Sequence, residues 1–111
     1  MATFADVTAI LDKSIGNWRT AHHRGPNLAK HQAGDPTPFG WSTRDELLQS
    51  AAFGLPLIDP QMIGNGCGRE TNLYLALAQG VPGYPRMPNG GPFLSSTDTD
   101  TIAAWIDAGA P

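Results

Sequence analysis

The sequence predicts an all-α fold, a small single domain over residues 1–111 with about four short helices and long proline- and glycine-rich loops. Three observations predict it. Apolar residues recur at three- and four-residue spacing in four separate stretches, each opened by a residue able to cap a helix. No stretch alternates apolar and polar residues over five or six positions, so no strand is expected. The chain also carries 13 glycines and 10 prolines among 111 residues with no period, so much of it must run as turns and loops.

The first helix is expected over about 4–14: Phe4, Val7, Ile10 and Leu11 share a face, Thr3 caps it, Asp6 sits in its first turn, and Gly16 stops it. The second opens at Ser42 or Thr43, because Thr43-Arg44-Asp45-Glu46 has the capping-box spacing, and its stripe of Leu47, Leu48, Ala51 and Ala52 runs to near Gly54. The third spans Glu70 to Gln79, with Leu73, Tyr74 and Leu77 on one face and Gly80 available for a left-handed end. The fourth is capped by Ser96 or Thr97, carries Asp98 and Asp100 in its first turn, buries Ile102, Trp105 and Ile106, and ends at Gly109 and Pro111. The first and last helices are expected to pack together through Val7, Ile10, Leu11, Ile102, Trp105 and Ile106.

About 27 residues join the first two helices, far beyond the roughly 2–8 usual in bundles, and they contain Gly25-Pro26, Gly34-Asp35-Pro36 and Thr37-Pro38. A second irregular stretch, Gly80 to Leu94, holds Val81-Pro82-Gly83, Met87-Pro88 and Asn89-Gly90-Gly91-Pro92. Short helices around long loops suggest a framework built on a cofactor or a cavity.

A net charge of −3 argues against nucleic acid and anionic membrane surfaces as partners. Cys67 is the sole cysteine, so no internal disulfide forms. No apolar run approaches the length of a membrane span, and the start, Met1-Ala2-Thr3-Phe4-Ala5-Asp6, lacks a basic and apolar leader, so a cytoplasmic location is expected, or a periplasmic one if the chain is a trimmed piece.

The order of features resembles the small class I cytochrome c domains of the planctomycete and outer-membrane type. The resemblance rests on Phe4 to Ser14, on Leu73-Tyr74-Leu75-Ala76-Leu77, on Arg86-Met87-Pro88-Asn89-Gly90-Gly91-Pro92-Phe93-Leu94-Ser95, and on the ending Ile102-Ala103-Ala104-Trp105-Ile106-Asp107-Ala108-Gly109-Ala110-Pro111. It implies a cytochrome c-like fold with a haem pocket. Where that family has Cys-x-x-Cys-His, this chain has Ile15-Gly16-Asn17-Trp18-Arg19. Ile15 and Trp18 cannot add to a haem vinyl group, and the guanidinium of Arg19 has no lone pair for iron, so covalent haem is excluded by chemistry.

Three functional readings follow. In the first, a haem-less pseudo-cytochrome uses the former pocket for a small organic ligand or a partner protein: Arg19 holds a carboxylate while Trp18, Trp41, Tyr84, Met87 and Phe93 wall an apolar body. The alternative for Arg19 is solvent, or a pair with Asp12; for Met87, which stands at the family's second axial position, it is a core filler beside Tyr84 and Phe93. In the second reading the chain is a metal- or haem-dependent electron carrier or small enzyme: His22, His23 and His31, which are all the histidines, bind Fe, Cu or Zn with a carboxylate such as Asp35, or His22 or His23 joins Met87 on a non-covalent haem. Plain surface histidines are the competing view. In the third, a cofactor-independent enzyme uses Arg19 to polarise a substrate and His22 or His23 to move a proton. Cys67, in the glycine-rich Gly64-Asn65-Gly66 approach to a helix, reads as a small buried residue unless the helix end and Arg69 activate it. The sequence leaves the oligomeric state open.

Overall fold

The structure, a computed structural model, describes residues 2–24, 39–52 and 55–111. The chain is helix-rich. Helix α1 spans Phe4–His22, α2 Arg44–Gln49, α3 Asn72–Ala78 and α4 Ser96–Asp107. Two short 3₁₀ turns, Pro60–Met62 and Gly68–Glu70, lie between α2 and α3. The expectation of no strand is corrected: β1, Ala51–Ala52, pairs antiparallel with β2, Leu55–Pro56, in the register Ala51 to Pro56 and Ala52 to Leu55. A two-residue strand is too short to show alternation, and Ala51 and Ala52 leave the helical stripe assigned to them because α2 ends at Gln49. Ser50 ends it. Its buried hydroxyl lies 2.7 Å from the Glu46 carbonyl and accepts from the Gly40 N–H at 3.0 Å, which ties the chain entering α2 to the chain leaving it.

The caps are close to those expected. Thr3 and Asp6 bond each other's backbone N–H groups and open α1 as a full capping box. Thr43 Oγ1 accepts from Glu46 N, but the Glu46 carboxylate reaches back to Ser42 N rather than to the cap itself. Helix α3 starts at Asn72 rather than Glu70, because the turn Gly68–Glu70 comes before it and Thr71 caps it, its Oγ1 accepting from Tyr74 N. Ser95 caps α4, one residue earlier than expected.

The largest departure is the length of α1, which passes through Gly16 and runs two further turns. Val7, Leu11, Ser14 and Trp18 are all buried at four- and three-residue steps, so the inward stripe continues past the glycine. Continuing that stripe outweighs the roughly 1 kcal/mol that one glycine costs in a helix. Gly16 itself is exposed, and a Cβ there would meet no atom within 4 Å. Gly16→Ala is therefore expected to stabilise the protein by about 0.8–1 kcal/mol and to raise its melting temperature by about 4–8 °C, read by calorimetry.

One core joins α1, α3 and α4, and it includes Val7, Ile10, Leu11, Leu47, Ile58, Leu73, Leu77, Leu94, Ile102, Trp105 and Ile106. The expected packing of α1 on α4 is present, with Phe4 and Trp105 ring centroids 6.0 Å apart and Lys13 paired with Asp98 across the two helices. Among the described residues no helix is long and apolar enough to cross a membrane.

Candidate functional site

The two extra turns of α1 carry Trp18 and His22 on one face, four residues apart, and both meet the loop over residues 80–94. The indole Nε1 of Trp18 donates to the Asn89 carbonyl oxygen at 2.8 Å. The His22 ring stacks on the indole with centroids 4.4 Å apart, and its Nε2 lies 2.7 Å from the Gly91 carbonyl oxygen. A carbonyl oxygen only accepts, so Nε2 carries the proton in this arrangement. Gly90 explains the closeness: its φ is +86°, and a Cβ there would sit 2.9 Å from His22 Cε1. Side chain and loop thus fit only with glycine at that position.

The loop is also fixed from the opposite side. Met87 N donates to the Ala76 carbonyl at 2.7 Å, and the Met87 side chain packs against the core. Arg86 donates through Nε to the Leu77 carbonyl at 3.0 Å and through Nη2 to the Leu94 carbonyl at 3.2 Å, while its guanidinium lies 4.5 Å over the Phe93 ring. On α1's side the Arg24 guanidinium lies 5.5 Å over the Trp18 ring. A continuous line of contacts therefore runs from Arg24 through Trp18, His22 and Gly91 to Phe93 and Arg86.

This arrangement redistributes the residues that the sequence nominated. Trp18 is 9% exposed and Met87 is half-buried, so both belong to the packed seam. Tyr84 and Phe93, at 37% and 47% exposed, are surface rings rather than walls of an enclosed pocket. Trp41 is held elsewhere, with its Nε1 on Asp12 Oδ1 at 2.8 Å and its ring edge-on to Phe39 at 6.1 Å. Arg19 is exposed and makes no ion pair among the described residues; Asp12, its expected alternative partner, serves Trp41 instead. His23 is the exposed C-cap of α1 in the left-handed conformation, φ 56°. His31 and Asp35 lie outside the described residues, and so does the Gly25-Pro26 to Thr37-Pro38 stretch.

Among the described residues no group of three or more His, Cys, Asp and Glu side chains comes together as a metal would require. Cys67 is half-buried ahead of the turn Gly68–Glu70. A hydrogen bond with Glu70, then burial and the charges of Glu70 and Asp107, hold its thiol above the ordinary range. The neighbouring cation does not counter this, since Arg69 is paired with Asp100 at 2.9 Å and lies over the Tyr74 ring. A raised thiol is a poor nucleophile at neutral pH.

Sequence reasoning gave no role to Arg24, to Arg86 or to the Asn89–Gly91 backbone, although the last two fall in the Arg86–Ser95 stretch that carries the resemblance. The available signal was the four-residue step from Trp18 to His22, which extends the Val7–Leu11–Ser14 stripe directly. Comparison with protein-family models, with curated proteins and with solved structures gives no match to this chain.

Proposed function

We propose that the chain is a haem-less cytochrome c-like domain that works as a binding module, taking a small organic ligand or a partner protein at the seam between the end of α1 and the 80–94 loop. The observation that carries this reading is the direct docking of Trp18 and His22 on Asn89 and Gly91. In the family that the sequence resembles, the corresponding helix and loop face each other across a haem. Here Trp18, which stands at one of the attachment positions, and His22, one turn further on, reach the loop directly.

The described residues at the seam speak against a haem. Ile15, Trp18 and Arg19 offer neither a thiol nor an imidazole. His22 has its Nε2 committed to the Gly91 carbonyl, and Met87 packs into the core. One buried side-chain oxygen lacks a partner among the described residues, Thr8 Oγ1, and it lies ten residues before Trp18, about 15 Å along the helix. Among the described residues, no buried side-chain nitrogen or oxygen at the seam lacks a hydrogen-bond partner.

The test is an absorbance spectrum with elemental analysis of the purified protein. A folded, colourless protein with far less than one metal per chain is the expected result. A Soret band, or stoichiometric iron, copper or zinc lost on changing His22 or His23, would replace this reading with the metal- or haem-dependent one.

A further inference from the structure

The described cations divide into two groups. Lys13 pairs with Asp98, Arg44 with Asp45 and Arg69 with Asp100. Arg19, Arg24 and Arg86 have no carboxylate partner among the described residues: Arg19 lies in the last turn of α1, Arg24 directly after its C-cap His23, and Arg86 on the loop docked against that end of the helix. In a chain of net charge −3 this is a local excess of positive charge. Arg86 gives two of its N–H groups to carbonyl oxygens, which orient the guanidinium without neutralising it. Arg24 and Arg86 each lie over an aromatic ring, which holds a planar guanidinium in place and limits the rotamer entropy lost on binding. Phe93 adds exposed aromatic surface beside Arg86.

We infer that this edge is a docking surface for an acidic segment of a partner protein, whose carboxylates meet Arg19, Arg24 and Arg86 while an apolar side chain of that segment covers Phe93. The inference rests on the binding-module reading and names its occupant. Charge complementarity selects carboxylates. The aromatic side chain beside the charge selects a peptide over a small carboxylate: Phe93, 47% exposed under the Arg86 guanidinium, offers a ring for an apolar side chain next to the carboxylates. Arginine and aromatic side chains together are also the composition that dominates binding energy at protein interfaces.

The experiment is fluorescence polarisation of the whole chain with a short labelled peptide of glutamates interspersed with tyrosines, beside its glutamine counterpart and an oligothymidylate. Saturable binding of the glutamate peptide is expected, weakened about tenfold or more in the glutamine peptide and by added salt. Arg24→Gln and Arg19→Gln, both at exposed positions, are each expected to weaken it several-fold while leaving the circular dichroism unchanged; Arg86→Lys keeps the charge and checks that the loss follows charge rather than folding. No binding up to on the order of 1 mM by folded protein, or equal binding of the glutamine peptide, would overturn the inference. Tighter binding of the oligothymidylate would overturn it in favour of a nucleic-acid edge. A Soret band in the same preparation would remove the haem-less reading without touching the peptide result, so the two failures are separable.

Discussion

Trp18→Ala is expected to cost about 3–5 kcal/mol of stability and to free the 80–94 loop well before the rest of the protein unfolds. The magnitude follows from the burial of the indole, 9% exposed, and from its position between three partners. Removing it leaves a cavity at the end of α1, leaves the Asn89 carbonyl without its donor, and takes away the surface on which His22 stacks. Trp18→Phe separates these contributions: the ring keeps most of the volume but loses the hydrogen bond, so about 1–2 kcal/mol is expected. Urea unfolding followed by tryptophan fluorescence gives the totals, and limited proteolysis locates the loosening. New cleavage between residues 80 and 94 in Trp18→Ala under native conditions is expected. A variant as stable as the parent, with the loop still protected, would show that the seam is held by the core side of the loop alone.

Gly68→Ala is expected to be nearly as damaging, about 3 kcal/mol, for a different reason. The turn Gly68–Glu70 lies against α4, and Gly68 N donates to Asp107 Oδ1 at 2.7 Å. A Cβ at that residue would fall inside contact distance of the Ala103 carbonyl oxygen and 2.9 Å from Asp107 Oδ1. The obstacle is helical backbone on an element packed against α1 and α3, so it cannot yield locally. Gly66→Ala is the control. Its φ is +82° but nothing lies within 4 Å of its Cβ position, so the cost should be the backbone preference alone, about 1–2 kcal/mol. Thermal melts of the two variants side by side decide: equal losses would mean that the contact between Gly68 and α4 is not tight.

The fold was legible in the sequence where a local signal acted alone. Helix α4 has a cap, an acidic first turn, an inward stripe and a terminal glycine within one short stretch, and it emerges within a residue of its expected start. Helix α1 was legible at Thr3 and Asp6 but not at its far end, because Gly16 is a local stop signal that a continuing buried stripe overrides. The β1 and β2 pair was illegible in principle, since two residues cannot display a period. The candidate site was half legible. Trp18 and His22, nominated as pocket wall and metal ligand, fasten the loop, while Arg86, quoted only within the Arg86–Ser95 stretch that carries the resemblance, holds carbonyls that no spacing points to. Contacts between a side chain and a distant carbonyl depend on how two loops are brought together, and no spacing within one element encodes that.

The three indoles end on three different acceptors: Trp18 on the Asn89 carbonyl, Trp41 on the Asp12 carboxylate and Trp105 on the Pro111 carbonyl. Each therefore sits at a separate junction of the molecule, with a different electrostatic neighbour and a different access to water. The protein consequently carries its own set of optical reporters. Trp105 senses the integrity of the core and the chain's last residues, Trp41 the approach to α2, and Trp18, lying under one cation and against one imidazole, the state of the loop. Retaining one indole at a time, with phenylalanine at the other two positions, would turn emission colour and quenching into a map of which junction responds first when something arrives at the surface.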